Sequence, residues 1–149
     1  SFIGLVGSEM CIRDSRTRSP QATIDIRNLR LRTFIGFNPE EMAKKQDVVI
    51  NIQIKYRING EVLDDRVEDA LNYKTITKDV ISLVESGQFL LLEKLVSDVL
   101  DACTNHSSVL YSRVTVDKPH ALRFADSVSL TLEYQPQISN NLRLLEKAS

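Results

Sequence analysis

Four side chains in this sequence are of types that move protons or hold a planar, nitrogen-rich ligand: Lys118, Tyr73, Glu93 and Glu41. In Tyr111-Ser112-Arg113-Val114-Thr115-Val116-Asp117-Lys118-Pro119-His120, Val114 and Val116 share the parity of Lys118. A strand would turn all three towards the core before Pro119 stops the ladder. Partial desolvation there would favour the neutral amine and poise the lysine to take and return a proton near neutral pH. A frayed strand end would instead let it snorkel to water. Glu93 falls in the first turn of an apparent helix, where free amides and the dipole favour a carboxylate. It is either an ordinary helix-start charge or an acceptor of two parallel hydrogen bonds from an amidine-like edge. Tyr73 opens another helix on its apolar parity, so its ring is expected to be buried, with a hydroxyl free to relay a proton. Glu41 reads by itself as a solvated loop carboxylate.

The elements that must position these groups follow from periodicity. Val48, Ile50, Ile52, Ile54, Tyr56 and Ile58 alternate with Val49, Asn51, Gln53, Lys55 and Arg57, which predicts a long half-buried strand. Before it, Ile24 and Ile26 share one parity and Leu29, Leu31 and Ile35 the other, so the first strand should carry a bulge near Asn28. Gly36-Phe37-Asn38-Pro39 supplies turn chemistry, with Glu40 to Gln46 lengthening the connection. Tyr73, Ile76, Val80, Leu83 and Val84 recur at helical spacing, with Gly87 as a stop; Leu92, Leu95, Val96, Val99 and Cys103 repeat the pattern. After the Lys118 strand comes a last alternating run, Val128, Leu130, Leu132 and Tyr134. The order β-β-α-α-β-β predicts an α+β domain, a four-stranded, largely antiparallel sheet with two helices on one face. Its long edges invite pairing with further copies, so a closed homo-oligomer is expected.

Composition narrows the function classes. With 149 residues, 42% hydrophobic and a net charge of −1, the chain is expected to be one soluble, cytoplasmic globular domain without the global field of a nucleic-acid binder. No run of about 18 apolar residues spans a bilayer, so no membrane partner is expected. Cys11 and Cys103 make no disulfide framework, and Cys103 reads as a small core residue. His106 and His120 are too few for a three-histidine metal site. Residues 1–21 are expected to be an artefactual or disordered leader, since Val6 to Ser15 resembles a translated sequencing-adapter fragment. Residues 22–135 form the expected domain. Residues 136–149, polar except for Leu142, Leu144 and Leu145, form a C-terminal tail.

Taken together, Gly36 and Glu41 in the first loop, Asn72-Tyr73 opening one helix, Leu92-Glu93-Lys94 opening the next and Asp117-Lys118-Pro119 closing a strand resemble the dihydroneopterin aldolase family over Ala22 to Tyr134. Asn28-Leu29-Arg30-Leu31-Arg32-Thr33-Phe34-Ile35-Gly36, Ala70-Leu71-Asn72-Tyr73, Leu91-Leu92-Glu93-Lys94-Leu95 and His120 to Ser129 read closest to the epimerase branch of that family. Ordinary aldolases tend to carry Lys-Pro-Gly-Ala where this chain has Lys118-Pro119-His120-Ala121, a departure that again favours epimerisation.

The resemblance implies the tunnelling fold (T-fold), with subunits closing their sheets into barrels as stacked rings, usually an octamer, and pterin sites between neighbours. It implies that Glu93 anchors the pterin, that the Leu92 backbone and the Asn72-Tyr73 segment frame it, and that Glu41 contacts the hydroxylated side chain. It makes Lys118 the general acid/base with Tyr73 as relay, and lets His120 fill part of the space left by the aldolase glycine. The reaction implied is inversion at C2' of a dihydropterin triphosphate by retro-aldol and aldol steps. The pterin is its own electron sink, so no cofactor or metal is expected. Arg30, Arg32 and Arg123, with Lys44 and Lys45, are candidate triphosphate contacts. A true aldolase of folate biosynthesis and a non-catalytic pterin-binding oligomer remain as alternatives.

Overall fold

The computed structural model describes residues 20–58, 64–67 and 70–135. The expected leader and tail, with Cys11, Leu142, Leu144 and Leu145, lie outside the described residues, apart from Pro20 and Gln21. In chain order the elements are β1 (Gln21–Ile35), α1 (Pro39–Ala43), β2 (Gln46–Arg57), α2 (Tyr73–Glu85), β3 (Gln88–Phe89), α3 (Leu92–Thr104), β4 (Val109–Pro119) and β5 (Ser127–Tyr134).

The sheet follows the order β3-β1-β2-β4-β5. Four strands were expected and the structure has five, because Phe34 and Ile35 pair in parallel with the two residues of β3. The main ladders are antiparallel, as the alternation implied. Every second residue of β2 from Val48 to Ile54 is buried, and Val114 and Val116 of β4 meet them from the same face. The opposite positions, such as Asn51, Gln53 and Arg113, face away.

The bulge in β1 lies where the parity changes. Ile26 pairs with Ile52 and Leu29 with Ile50, so Arg27 and Asn28 together oppose Asn51. Asn28 takes a left-handed φ of 55°, a region that Asn tolerates better than most residues. Its N–H donates to the Asn51 Oδ1 at 2.9 Å, which satisfies the group the ladder leaves unpaired. Both halves of β1 thereby keep their apolar residues on the core side.

The two long helices bury their stripes against that side: Ile76, Val80 and Val84 from α2; Leu95, Val96, Val99, Leu100 and Cys103 from α3. Burial pushes the Cys103 thiol up to about 12, so it is an inert core group. Asn72 caps α2 by accepting the Thr75 N–H at 3.1 Å. The helix stops where expected, with Ser86 as its C-cap and Gly87 next, but Gly87 has no left-handed φ; a Cβ there would lie 2.4 Å from the Phe89 ring, and the glycine makes room for that buried side chain. Tyr73 also differs from expectation. The residue is 50% exposed, standing beside an open groove over Ile24 and Ile26 of β1.

Candidate functional site

Lys118 stays in the ladder, paired with Val128, and β4 continues through Pro119. The strand does not fray. Its side chain is only 14% exposed and projects, as its parity requires, to the side of Val114 and Val116. There it meets Glu41, whose carboxylate accepts a charge-assisted hydrogen bond from the Lys118 Nζ. Glu41 is therefore not a solvated loop carboxylate but the partner of Lys118.

The local sequence explains how Glu41 gets there. Asn38 is the N-cap of α1 and accepts the Glu41 N–H at 2.8 Å, with Pro39 at the first helical position. The Gln46 side chain, at the start of β2, donates to the Ile35 carbonyl at 2.7 Å and to the Glu41 Oε2 at 3.2 Å. The Lys118 hydrogen bond holds the Glu41 carboxyl below the usual carboxylate range. Burial pushes the other way, and the Gln46 and Asn38 donors add to the lowering.

The pair opens onto a cleft of about 310 Å³. Gly36, Phe37, Leu90–Leu92, Ala121 and Val128–Leu130 line it, with Glu93 facing in from α3. Leu91 is the N-cap of α3 and supplies no side-chain acceptor, so the first amides of that helix keep their donor capacity beside Glu93. A carboxylate, free helix-start amides and an apolar wall suit a flat heterocycle with an amino-amide edge.

The structure thus brings Lys118, Glu41, Glu93 and Leu92 to one cleft. Tyr73 lines a second groove of about 590 Å³ with Ile24, Ile26, Lys74, Thr77 and Lys78. Ile24 lies level with Ile54, whereas Lys118 is level with the Val48 end of β2, a separation of about 20 Å at ~3.3 Å per residue. Asn72 beside Tyr73 has its side-chain oxygen engaged in capping α2. Arg30 and Arg32 alternate with buried Leu31 and so leave the sheet on the face away from Lys118; Arg32 bonds Asp47 at 3.2 Å and the Lys45 carbonyl at 3.1 Å. Lys45 also donates to the Glu85 carbonyl at 3.0 Å. His120 is exposed in a left-handed conformation, φ 63°, at the start of the β4–β5 loop, and its neighbour Ala121 is the residue that reaches the cleft. Arg123, on the same loop, sits 5.5 Å from the Phe124 ring centroid.

Sequence reasoning missed Gln46 and the role of Asn38. The second had a signal: Asn38-Pro39-Glu40-Glu41 carries the cap, the proline and the acidic third position of a helix start. Nothing in the sequence announces Gln46, since an amide before a strand is ordinary.

The dihydroneopterin aldolase (FolB) family pattern matches residues 24–133. Over 116 residues the chain is 53% identical to the dihydroneopterin triphosphate 2'-epimerase of Escherichia coli (strain K12), covering 78% of this chain and 97% of that protein. To the dihydroneopterin aldolase of the same organism it is 27% identical over 116 residues, 78% of this chain and 95% of that protein. Among solved structures, the E. coli dihydroneopterin aldolase in complex with neopterin superposes with a TM-score of 0.70 at 26% identity, covering 76% of this chain and 98% of that one.

Proposed function

Because the chain belongs to the dihydroneopterin aldolase family, we propose that it is a dihydroneopterin triphosphate 2'-epimerase, interconverting 7,8-dihydroneopterin triphosphate and its C2' epimer. The observation that carries this reading is the Lys118–Glu41 pair facing Glu93 across one cleft. The preference for epimerase over aldolase rests on 53% against 27% identity within one organism and on His120 in place of the aldolase glycine.

Glu93 accepts hydrogen bonds from the pterin amino group and ring N–H, while the Leu92 backbone and Leu91 frame the ring. Lys118 removes the proton from the 2'-hydroxyl. The C1'–C2' bond then breaks, its electrons passing into the conjugated imine of the dihydropterin, and C2' becomes the carbonyl carbon of an aldehyde fragment. Recombination at the opposite aldehyde face re-forms the bond with C2' inverted, and Lys118 returns the proton to oxygen. Escape of the fragment would give aldolase products. No Schiff base is required, so Lys118 acts in proton transfer alone.

The relay role of Tyr73 requires a second copy of the chain, given the distance within one subunit. Among the described residues the edge of β5, and of β1 beyond its short contact with β3, has no partner strand, which supports a ring of subunits and a homo-octamer with sites at the interfaces. Asn72 enters the same way, through its backbone. Glu41 serves chiefly to hold Lys118 and reaches the substrate side chain from the cleft wall. Arg123 on the β4–β5 loop, with His120, is the stronger candidate for the triphosphate; Arg30 and Arg32 would have to act from a neighbouring copy. Among the described residues no helix is long and apolar enough to cross a membrane; a cytoplasmic location fits a soluble pterin triphosphate as substrate.

Incubation with dihydroneopterin triphosphate and with its unphosphorylated form, followed by chromatographic identification of products, tests the reading. An epimerised triphosphate is expected. Predominant 6-hydroxymethyl-7,8-dihydropterin with an aldehyde fragment would identify an aldolase, and a stoichiometric complex without turnover would identify a binding module.

A further inference from the structure

The turn from β1 into α1 is built around a missing side chain. Gly36 has a φ of 122°, and its N–H donates to the Phe89 carbonyl at 2.9 Å, which pins the turn to β3. A Cβ at Gly36 would fall 2.2 Å from the Glu41 carboxyl carbon and 2.3 and 2.4 Å from its two oxygens. The carboxylate that pairs with Lys118 occupies the volume that any other residue would fill. From the far side, one Gln46 amide group bridges this carboxylate to the Ile35 carbonyl, the peptide next to Gly36.

We infer that Gly36 is a positioning residue for the acid/base pair: with Gln46 it forms a seat that holds the Glu41 carboxylate on Lys118. The seat deepens the acid/base reading of Lys118 and rests on it for its effect on turnover. The groups facing Glu41 are Lys118 from β4, Gln46 from β2 and Asn38 from its own turn, with Glu93 of α3 lining the same cleft; β5 contributes no charge there. Displaced from the seat, the carboxylate loses its Gln46 donor and its short approach to Lys118 together. The lysine is then left without a fixed counter-ion to set its orientation in the cleft.

The experiment compares wild-type protein with Gly36→Ala and Gln46→Leu, each alone and combined with Glu41→Gln. It follows the Glu41 carboxyl by carbon-detected NMR titration and turnover by kcat and KM. Glu41 is held low by donors that both substitutions disturb, so its titration is expected to move up towards the ordinary carboxylate range. Turnover is expected to fall on the order of 10- to 100-fold in kcat, with KM changed by less than about threefold. Adding Glu41→Gln to either variant is expected to cause no further loss, as for residues acting through one group. Unmoved Glu41 titration in both variants, or fully additive losses, would overturn the seat. Gln46→Leu keeps Gly36 and its backbone conformation, removing from the turn only the side-chain hydrogen bond to the Ile35 carbonyl, and decides alone if Gly36→Ala does not fold. A moved titration with unchanged kcat would overturn the positioning role through the acid/base reading beneath it.

Discussion

The cleft at Lys118 and the groove at Tyr73 lie at opposite ends of the same sheet and differ in how fully they are furnished. At the cleft, the charged groups have partners from two other elements and from the local cap: the Glu41 carboxylate accepts from Lys118 of β4 and Gln46 of β2, while its backbone N–H donates to the Asn38 cap. At the groove, Tyr73 is half exposed over Ile24 and Ile26, with two lysines at the rim and an apolar floor. Buried polar groups are secured where they fold, whereas apolar surface left open at a strand edge is completed by something else. One end of the molecule is a set of mutually bonded polar groups, and the other is an open, largely apolar groove.

The strongest test of that contrast is Lys118→Ala. Turnover is expected to fall roughly 10²- to 10⁴-fold, as for a lost acid/base group, while the affinity for pterin measured by fluorescence titration changes little. Near-wild-type turnover would place the chemistry elsewhere. Tyr73→Phe comes next, with an expected loss of about 10- to 100-fold in kcat if the groove serves a neighbour's cleft. Co-assembly of Tyr73→Phe with Lys118→Ala chains should then restore activity above that of either alone, and mixed assemblies that remain inactive would confine each residue to its own subunit. Glu93→Gln should act on binding, weakening pterin affinity by roughly 10- to 100-fold, the equivalent of a charged hydrogen bond, with kcat at saturation largely kept. The smallest effect concerns Ser112, on the same face of β4 as Lys118, whose buried hydroxyl has no hydrogen-bond partner among the described residues. Ser112→Ala should leave activity intact and raise stability by up to about 1 kcal/mol in denaturant unfolding; a clear loss of stability would mean that the hydroxyl is satisfied after all.

What the sequence disclosed about these two ends follows from the range of the interactions. The parity of Val114, Val116 and Lys118 is a property of adjacent residues, so the inward turn of Lys118 was legible before any fold was known. The shift of parity around Asn28 gave away the bulge for the same reason. Glu41 as a partner was not legible, since it stands 77 positions from Lys118 and depends on a five-residue helix too short to show a period. β3, with two residues, cannot display alternation at all. The exposure of Tyr73 was hidden because helical spacing says which side a residue shares, not how tightly that side is packed there. Gly36 could be seen as a turn residue, but which carboxylate uses its open space is a matter of tertiary geometry.

The bulge at Asn28 has a consequence for how the two ends can vary. It sits between them along β1, and it absorbs the odd residue that would otherwise invert everything upstream. Were both bulge residues kept but drawn into a regular ladder, Ile24 and Ile26 would turn to the far side of the sheet and dissolve the floor beneath Tyr73, yet Leu31, Ile35 and the Lys118 cleft would stay in step with β2; removal of one of the two would leave every apolar residue on the core side. The strand thus works like a coupling with a slipped tooth: its two segments are geared separately, and a change in pairing at the Tyr73 end need not disturb the Lys118 end.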